Sequence, residues 1–140
     1  MTLDNQTKDE VSMFIPAKSE YVGVVRLTAA AISNKIGFNV EDIEDIKVAL
    51  SEACSNAIRY SKQDTFKLTF YVGNDNLRII VSDDGEGCDT QNIDEPDLDN
   101  PKESGLGLFI IKSLMDEVSI ESDEGEGTVI NMIKFLEDAE

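Results

Sequence analysis

Between Asn39 and Tyr60 the residues Ile43, Ile46, Leu50, Ala53, Cys54 and Ala57 recur at helical spacing, and Glu52 and Asn56 fall off that stripe together. Such a helix must bury its stripe, and it then presents a carboxylate beside an amide, because residues four apart are neighbours on a helix surface. Two further pieces follow: Asp83-Asp84-Gly85-Glu86-Gly87 closes an apolar run, and Ser104-Gly105-Leu106-Gly107 opens another. Each piece alone is common. An isolated ExxxN is most often a solvated polar face, a DxGxG an ordinary loop after a strand, and a lone GxG a hinge. In this fixed order they describe a nucleotide pocket.

The chemistry of each piece supports that reading. Asn39 is placed as an N-cap, and Glu41 and Asp42 in the first turn favour the helix dipole. Ala49, Ala53 and Ala57 are small and open the helix to close approach by a ligand. Within it, Glu52 can accept a proton and the Asn56 amide oxygen suits Mg²⁺. Asp83, just past a strand, can accept from an amino group such as that of adenine, while Gly85 and Gly87 permit close backbone approach. An EF-hand is excluded, because the sixth position counted from Asp83 is Cys88 rather than glycine. Gly105-x-Gly107 opens a helix whose free N–H groups and positive dipole end suit an anion. It is not a dinucleotide fingerprint, since Ile110 stands where a third small residue is required, and no GK[ST] phosphate loop occurs.

The remaining elements are short. Val11 to Ile15 reads as a strand closed by Pro16. Tyr21, Val24, Val25, Thr28, Ala29, Ile32 and Ile36 predict a helix from about Ser19 to Ile36, ended by Gly37. Thr65 to Val72 and Leu77 to Ser82 predict a hairpin turned at Gly73-Asn74-Asp75-Asn76. The acidic, proline-bearing stretch from Cys88 to Glu103 reads as a mobile loop. Gly105 to Met115 reads as a helix, and Glu117 to Glu121 and Thr128 to Leu136 as strands. The expected fold is α+β, a two-layer sandwich with a mixed, mostly antiparallel sheet and helices on one face.

Composition removes several function classes. The chain has 140 residues, fitting one domain over 1–140, and a formal charge of −17 that repels nucleic-acid backbones and anionic lipid. Proteins are the expected partners. No histidine is present, which leaves proton transfer to a carboxylate, Lys, Tyr or Cys. Cys54 and Cys88 have no metal-ligand spacing and read as reduced thiols, one buried and one in a loop. No apolar run approaches a membrane span and the first ten residues lack a signal pattern, so a cytoplasmic protein is expected. Arg26 stands alone among Val24, Val25 and Leu27, and suits either a partner contact or a surface arginine with a buried stem.

With these residues in view, the sequence resembles the GHKL ATPase superfamily: Glu52–Asn56 stands for its N box, Asp83-x-Gly85-x-Gly87 for its G1 box and Ser104-Gly105-x-Gly107 for its G2 box. The stretches from Glu20 to Leu27, Ile43 to Ala57 and Gly105 to Val118 are similar to the anti-sigma factor serine kinases of Gram-positive bacteria, the anti-sigma-B kinases above all and the sporulation anti-sigma kinases next. The resemblance spans Val11 to Leu136. It implies a Bergerat-type fold, ATP or ADP with Mg²⁺, and a homodimer. It also implies two competing protein partners. One is a sigma-B-like sigma factor held inactive, the other a STAS-domain anti-anti-sigma factor phosphorylated on serine. By resemblance Glu52 is the general base, Asn56 the Mg²⁺ ligand and Asp83 the adenine reader. Gly85 and Gly87 shape that loop, and Ser104, Gly105, Leu106, Gly107 and Leu108 line the phosphate side. Thr128 lies near the base, Lys102 is a candidate for the γ-phosphate, and the loop of about 88–104 is the ATP lid. A non-catalytic module that binds a sigma factor under nucleotide control is the alternative.

Overall fold

The computed structural model describes residues 7–83, 105–123 and 127–137. Strand β1 (Thr7–Pro16) leads through a 3-10 turn at Ser19–Tyr21 into helix α1 (Val22–Ile36) and then helix α2 (Val40–Tyr60). Strands β2 (Thr65–Gly73) and β3 (Asn76–Asp83) form a hairpin. Helix α3 (Gly105–Leu114) precedes strands β4 (Glu117–Asp123) and β5 (Gly127–Phe135). The expected segment 88–104, with Gly85, Gly87, Cys88, Lys102 and Ser104, lies outside the described residues.

The strands form one sheet in the order β1-β2-β3-β5-β4, with every pairing antiparallel. β3 and β4 therefore run in the same direction, and β5 enters the gap between them. Alternation along the strands decides what faces the helices. Leu68 pairs with Val81, and Phe70 with Ile79. Val81 and Ile79 pair in turn with Ile130 and Met132 on β5. These side chains are buried, together with Val25, Ile46 and Leu50 from the helices. Each such aliphatic side chain contributes about 1.5–3 kcal/mol on burial. The α+β sandwich expected from the sequence is the architecture observed.

The other face of the sheet is open and carries mixed side chains. Lys67 Nζ lies 5.7 Å from the Phe14 ring, and the Arg78 guanidinium 5.4 Å from the Tyr71 ring. Charged residues at Lys8, Asp9 and Glu10 mark β1 as an edge strand that resists further pairing.

Helix ends follow the chemistry of their residues. The Asn39 side chain accepts from Asp42 N–H at 2.8 Å, capping α2 as expected. Gly37 closes α1 at φ 115°, a left-handed position that favours glycine. The buried face of α1 differs from the expected stripe. Val22, Val25, Ala29 and Ser33 point inward, whereas Tyr21 and Val24 are exposed. With apolar residues on nearly every side of its first turns, packing rather than periodicity selects the face. β1 also begins earlier than expected, at Thr7, because its polar first residues join the backbone ladder to β2, which apolar patterning does not reveal.

Candidate active site

Two cross-strand pairs make the floor of a narrow pocket. Asp83 lies opposite Thr128, and Val81 opposite Ile130. Because strand residues two apart share a face, all four side chains point to the helices. Asn56 and Ala57, in the last turns of α2, complete the lining. The pocket is a partly open cleft of about 170 Å³, some of it bulk solvent, and its walls stand too close to seat a water molecule. Asp83 and Thr128 are 3% and 6% exposed. A buried carboxylate and hydroxyl between apolar walls suits a flat ring bearing an amino group, and such a ring must part the walls to enter.

Glu52 sits one turn back from Asn56 on the same side of α2 and meets α3. The place where a Cβ would stand on Gly107 is 3.0 Å from Glu52 Oε1, so the missing side chain makes room for this carboxylate. The two helices run antiparallel. While Gly107 meets Glu52, the far end of α3 is tied near the start of α2: Lys134 Nζ donates to the Leu114 carbonyl at 2.7 Å and lies 4.0 Å from Asp42 Oδ1. The same end is held to the sheet by Asp116, whose Oδ2 accepts from Phe135 N–H at 2.7 Å. The first turn of α3 is thereby aimed past Glu52.

The structure thus brings together Asn56, Asp83 and Thr128 in one pocket and Glu52 with Gly107 beside it. Gly105 is the first residue of α3, Leu106 is exposed, and Leu108 packs partly buried against the core. Of the three small residues expected near a ligand, only Ala57 lines the pocket. Ala49 and Ala53 are fully buried in the core instead, because α2 turns them toward its packing partners. Val81 and Ile130 were not singled out by sequence, although each stands two residues from a candidate, Asp83 or Thr128, on the same strand face.

No cluster of three or more metal-ligating side chains exists among the described residues. Asn56, lining the pocket, offers an amide oxygen, a hard donor of the kind Mg²⁺ takes. Cys54 is fully buried on α2, and burial pushes its thiol up to about 12, partly offset by Arg26. It is inert rather than nucleophilic. Arg26 itself is exposed on α1 and its Nη1 donates to Ser51 Oγ at 3.4 Å, away from the pocket.

An antiparallel sheet covered by helices, with a buried aspartate at a strand end and a glycine-opened helix beside a helical glutamate, defines a nucleotide-binding ATPase domain of the histidine kinase type. Residues 15–134 match the model of the histidine kinase-like ATPase domain. The chain belongs to that family, in its protein-serine kinase branch. It is 42% identical to the serine-protein kinase RsbW of Halalkalibacterium halodurans, over 92% of this chain and 85% of that one. To the serine-protein kinase RsbW of Bacillus licheniformis it is 40% identical, over 91% of this chain and 86% of the other. Among solved structures, the RsbU and RsbW domains of a Mycobacterium tuberculosis protein share the fold. The TM-score is 0.69 at 21% identity, over 92% of this chain and 32% of that longer one. The histidine kinase domain of a blue-light activated histidine kinase from Erythrobacter litoralis superposes with a TM-score of 0.56 at 25% identity, over 96% of this chain and 68% of that one. No helix among the described residues is long and apolar enough to cross a membrane.

Proposed function

We propose that this protein-serine kinase binds Mg-ATP in the Asp83–Thr128 pocket, phosphorylates a STAS-domain anti-anti-sigma factor on serine, and sequesters a sigma-B-like sigma factor. The observation that carries the catalytic half is the Glu52 carboxylate seated against Gly107, beside the Asn56–Asp83–Thr128 pocket. On this reading Asp83 accepts from the adenine amino group. The Asn56 amide oxygen holds Mg²⁺, which offsets charge on the phosphates. N–H groups at the start of α3, from Gly105 to Leu108, face the phosphates with the positive end of the helix dipole. Gly85, Gly87, Lys102 and Ser104 belong to the same reading from the sequence, with the 88–104 segment as lid. The whole chain then acts as a single kinase unit, with the homodimer as its working form and the cytoplasm as its place.

Phosphoryl transfer needs a base within hydrogen-bond reach of the attacking hydroxyl. With no histidine in the chain, Glu52 takes that proton. The bond from the γ-phosphorus to the ADP oxygen breaks as the bond to the serine oxygen forms, and the proton passes from Glu52 to solvent. The −17 charge supports the sigma-binding half, since a protein that docks on DNA and polymerase offers basic surfaces to an acidic partner.

The test is transfer from labelled Mg-ATP to the STAS-domain protein encoded nearest this gene, with Glu52→Gln alongside. Acid-stable label on serine, reduced by about 10²–10⁴ in the variant while ATP still binds, is the expected result. ATP binding and a stable complex without any label would favour a nucleotide-controlled sigma-binding module instead.

A further inference from the structure

The seat of Glu52 against Gly107 joins two helices, so it depends on how far α3 is slid along α2. A hydrogen-bonded helix is stiff along its axis, and a slide applied at one end arrives at the other. The far end of α3 closes at Leu114, about 10 Å along the helix from Gly107. There Lys134 Nζ donates to the Leu114 carbonyl at 2.7 Å and stands 4.0 Å from Asp42 Oδ1, in the first turn of α2. One ammonium thus meets the closing end of α3 and the opening turn of α2. Both neighbours favour its charge, since carbonyls at a helix end carry partial negative charge and Asp42 a full one. The Lys134 side chain is 12% exposed, so little water replaces those partners if they move away.

Strand alternation brings Lys134 to this point. It shares the helix-facing side of β5 with Thr128, Ile130 and Met132, so one strand carries a wall of the nucleotide pocket at one end and this ammonium at the other. Other ties hold α3 to the sheet and core. Ile111 and Met115 are buried. Asp116 joins β5 twice, its N–H donating to the Ile133 carbonyl at 2.9 Å and its Oδ2 accepting from Phe135 N–H at 2.7 Å. Lys134 differs in tying α3 to α2 as well. We propose that Lys134 is a positioning residue for phosphoryl transfer: it sets the axial register of α3 against α2, and through it the place of the Glu52 carboxylate. It lies outside the pocket lining and acts only through the two helices. Its role rests on Glu52 being the base, as argued above.

Lys134→Met keeps the apolar stem and removes the charge, whereas Lys134→Arg keeps the charge. Each is assayed for transfer from saturating Mg-ATP to a purified STAS-domain protein that the wild type labels on serine, at a temperature where a melt shows it fully folded. The kcat should fall about 3- to 10-fold in Lys134→Met, with the Kd for ATP within about two-fold of wild type, and Lys134→Arg should restore most of the loss. Combined with Gly107→Ala, the two losses should fall short of multiplying by about three-fold or more, since both act on the same gap. A lysine that only stabilises the fold would lower the melting temperature and leave kcat at the wild-type value, and that result overturns the proposal. Losses that multiply in the double variant overturn it too. If Lys134→Met does not fold, Asp42→Asn cuts the same tie from a partly exposed turn, and an unchanged kcat there overturns the role of Lys134. If the wild type binds ATP yet labels nothing, or Glu52→Gln labels as fast, the base reading falls, and the role of Lys134 with it.

Discussion

Gly107→Ala would place a methyl carbon 3.0 Å from Glu52 Oε1, a few tenths of an ångström inside relaxed contact. Two effects of opposite sign follow. Gly107 is helical, so alanine meets no backbone strain there and improves helix propensity by about 0.5–1 kcal/mol. In a chain of this size that raises the melting temperature by roughly 2–4 °C. The obstacle is the end of a flexible side chain, so Glu52 yields and its carboxylate shifts. A misplacement of about 1 Å at a reacting group costs on the order of 10²-fold, so a few tenths should cost roughly 3- to 10-fold in kcat. A variant more stable yet slower is the signature. Steady-state transfer to the serine-bearing acceptor at saturating ATP, with a thermal melt on the same preparation, measures both. An unchanged kcat with weakened ATP binding would refute the seat for Glu52 and leave phosphate approach as the sole reason for glycine. A lowered melting temperature would refute the helical-propensity half.

Other outcomes follow from the same geometry. Asp83→Asn removes the buried charge and exchanges one of its two acceptor oxygens for an NH₂ donor, and ATP affinity measured by calorimetry should fall roughly ten- to a hundred-fold; an unaltered Kd would remove Asp83 from the adenine contact. Asn39→Ala deletes the α2 cap and should cost about 1 kcal/mol in denaturant unfolding while transfer is unaffected, since Glu52 and Asn56 lie further along the helix. Cys54 holds its proton in the folded chain up to about 12 against 9.0 for a free thiol. Its contribution is thus fully present below pH 9 and declines as the pH rises toward 12, because only the unfolded thiol ionises in that window. Unfolding followed between those limits should show a slope of up to about 1.4 kcal/mol per pH unit that Cys54→Ala flattens.

What the sequence disclosed was whatever a single element encodes by itself. α2 was legible from end to end because a 3.6-residue stripe, the Asn39 cap and the closing Tyr60 agree. The β2–β3 hairpin was legible from alternation. The inward face of α1 was not, since Val22, Val24 and Val25 are chemically alike and only the neighbouring helix and sheet choose among them. Nor does any residue pattern announce that β5 lies between β3 and β4. The same division holds for the site. Glu52, Asn56 and Asp83 stand out because polar groups near apolar runs need a reason. Val81 and Ile130 look like any core residue until pairing sets them beside Asp83 and Thr128. The contact between Glu52 and Gly107 joins residues on two helices and appears only once α3 has docked.

The position of β5 has a consequence for how the enzyme comes into being on the ribosome. It is synthesised last of the five strands, yet it sits inside the sheet and carries Thr128 and Ile130. Until it emerges, β3 has an unpaired edge and Asp83 faces no partner strand. A nascent chain can therefore build its first two helices and pair β1, β2 and β3 early, but it lacks the strand that completes the proposed pocket. On the proposed site, competence to bind ATP arrives with β5, so a chain halted before that strand has no pocket in which to hold nucleotide.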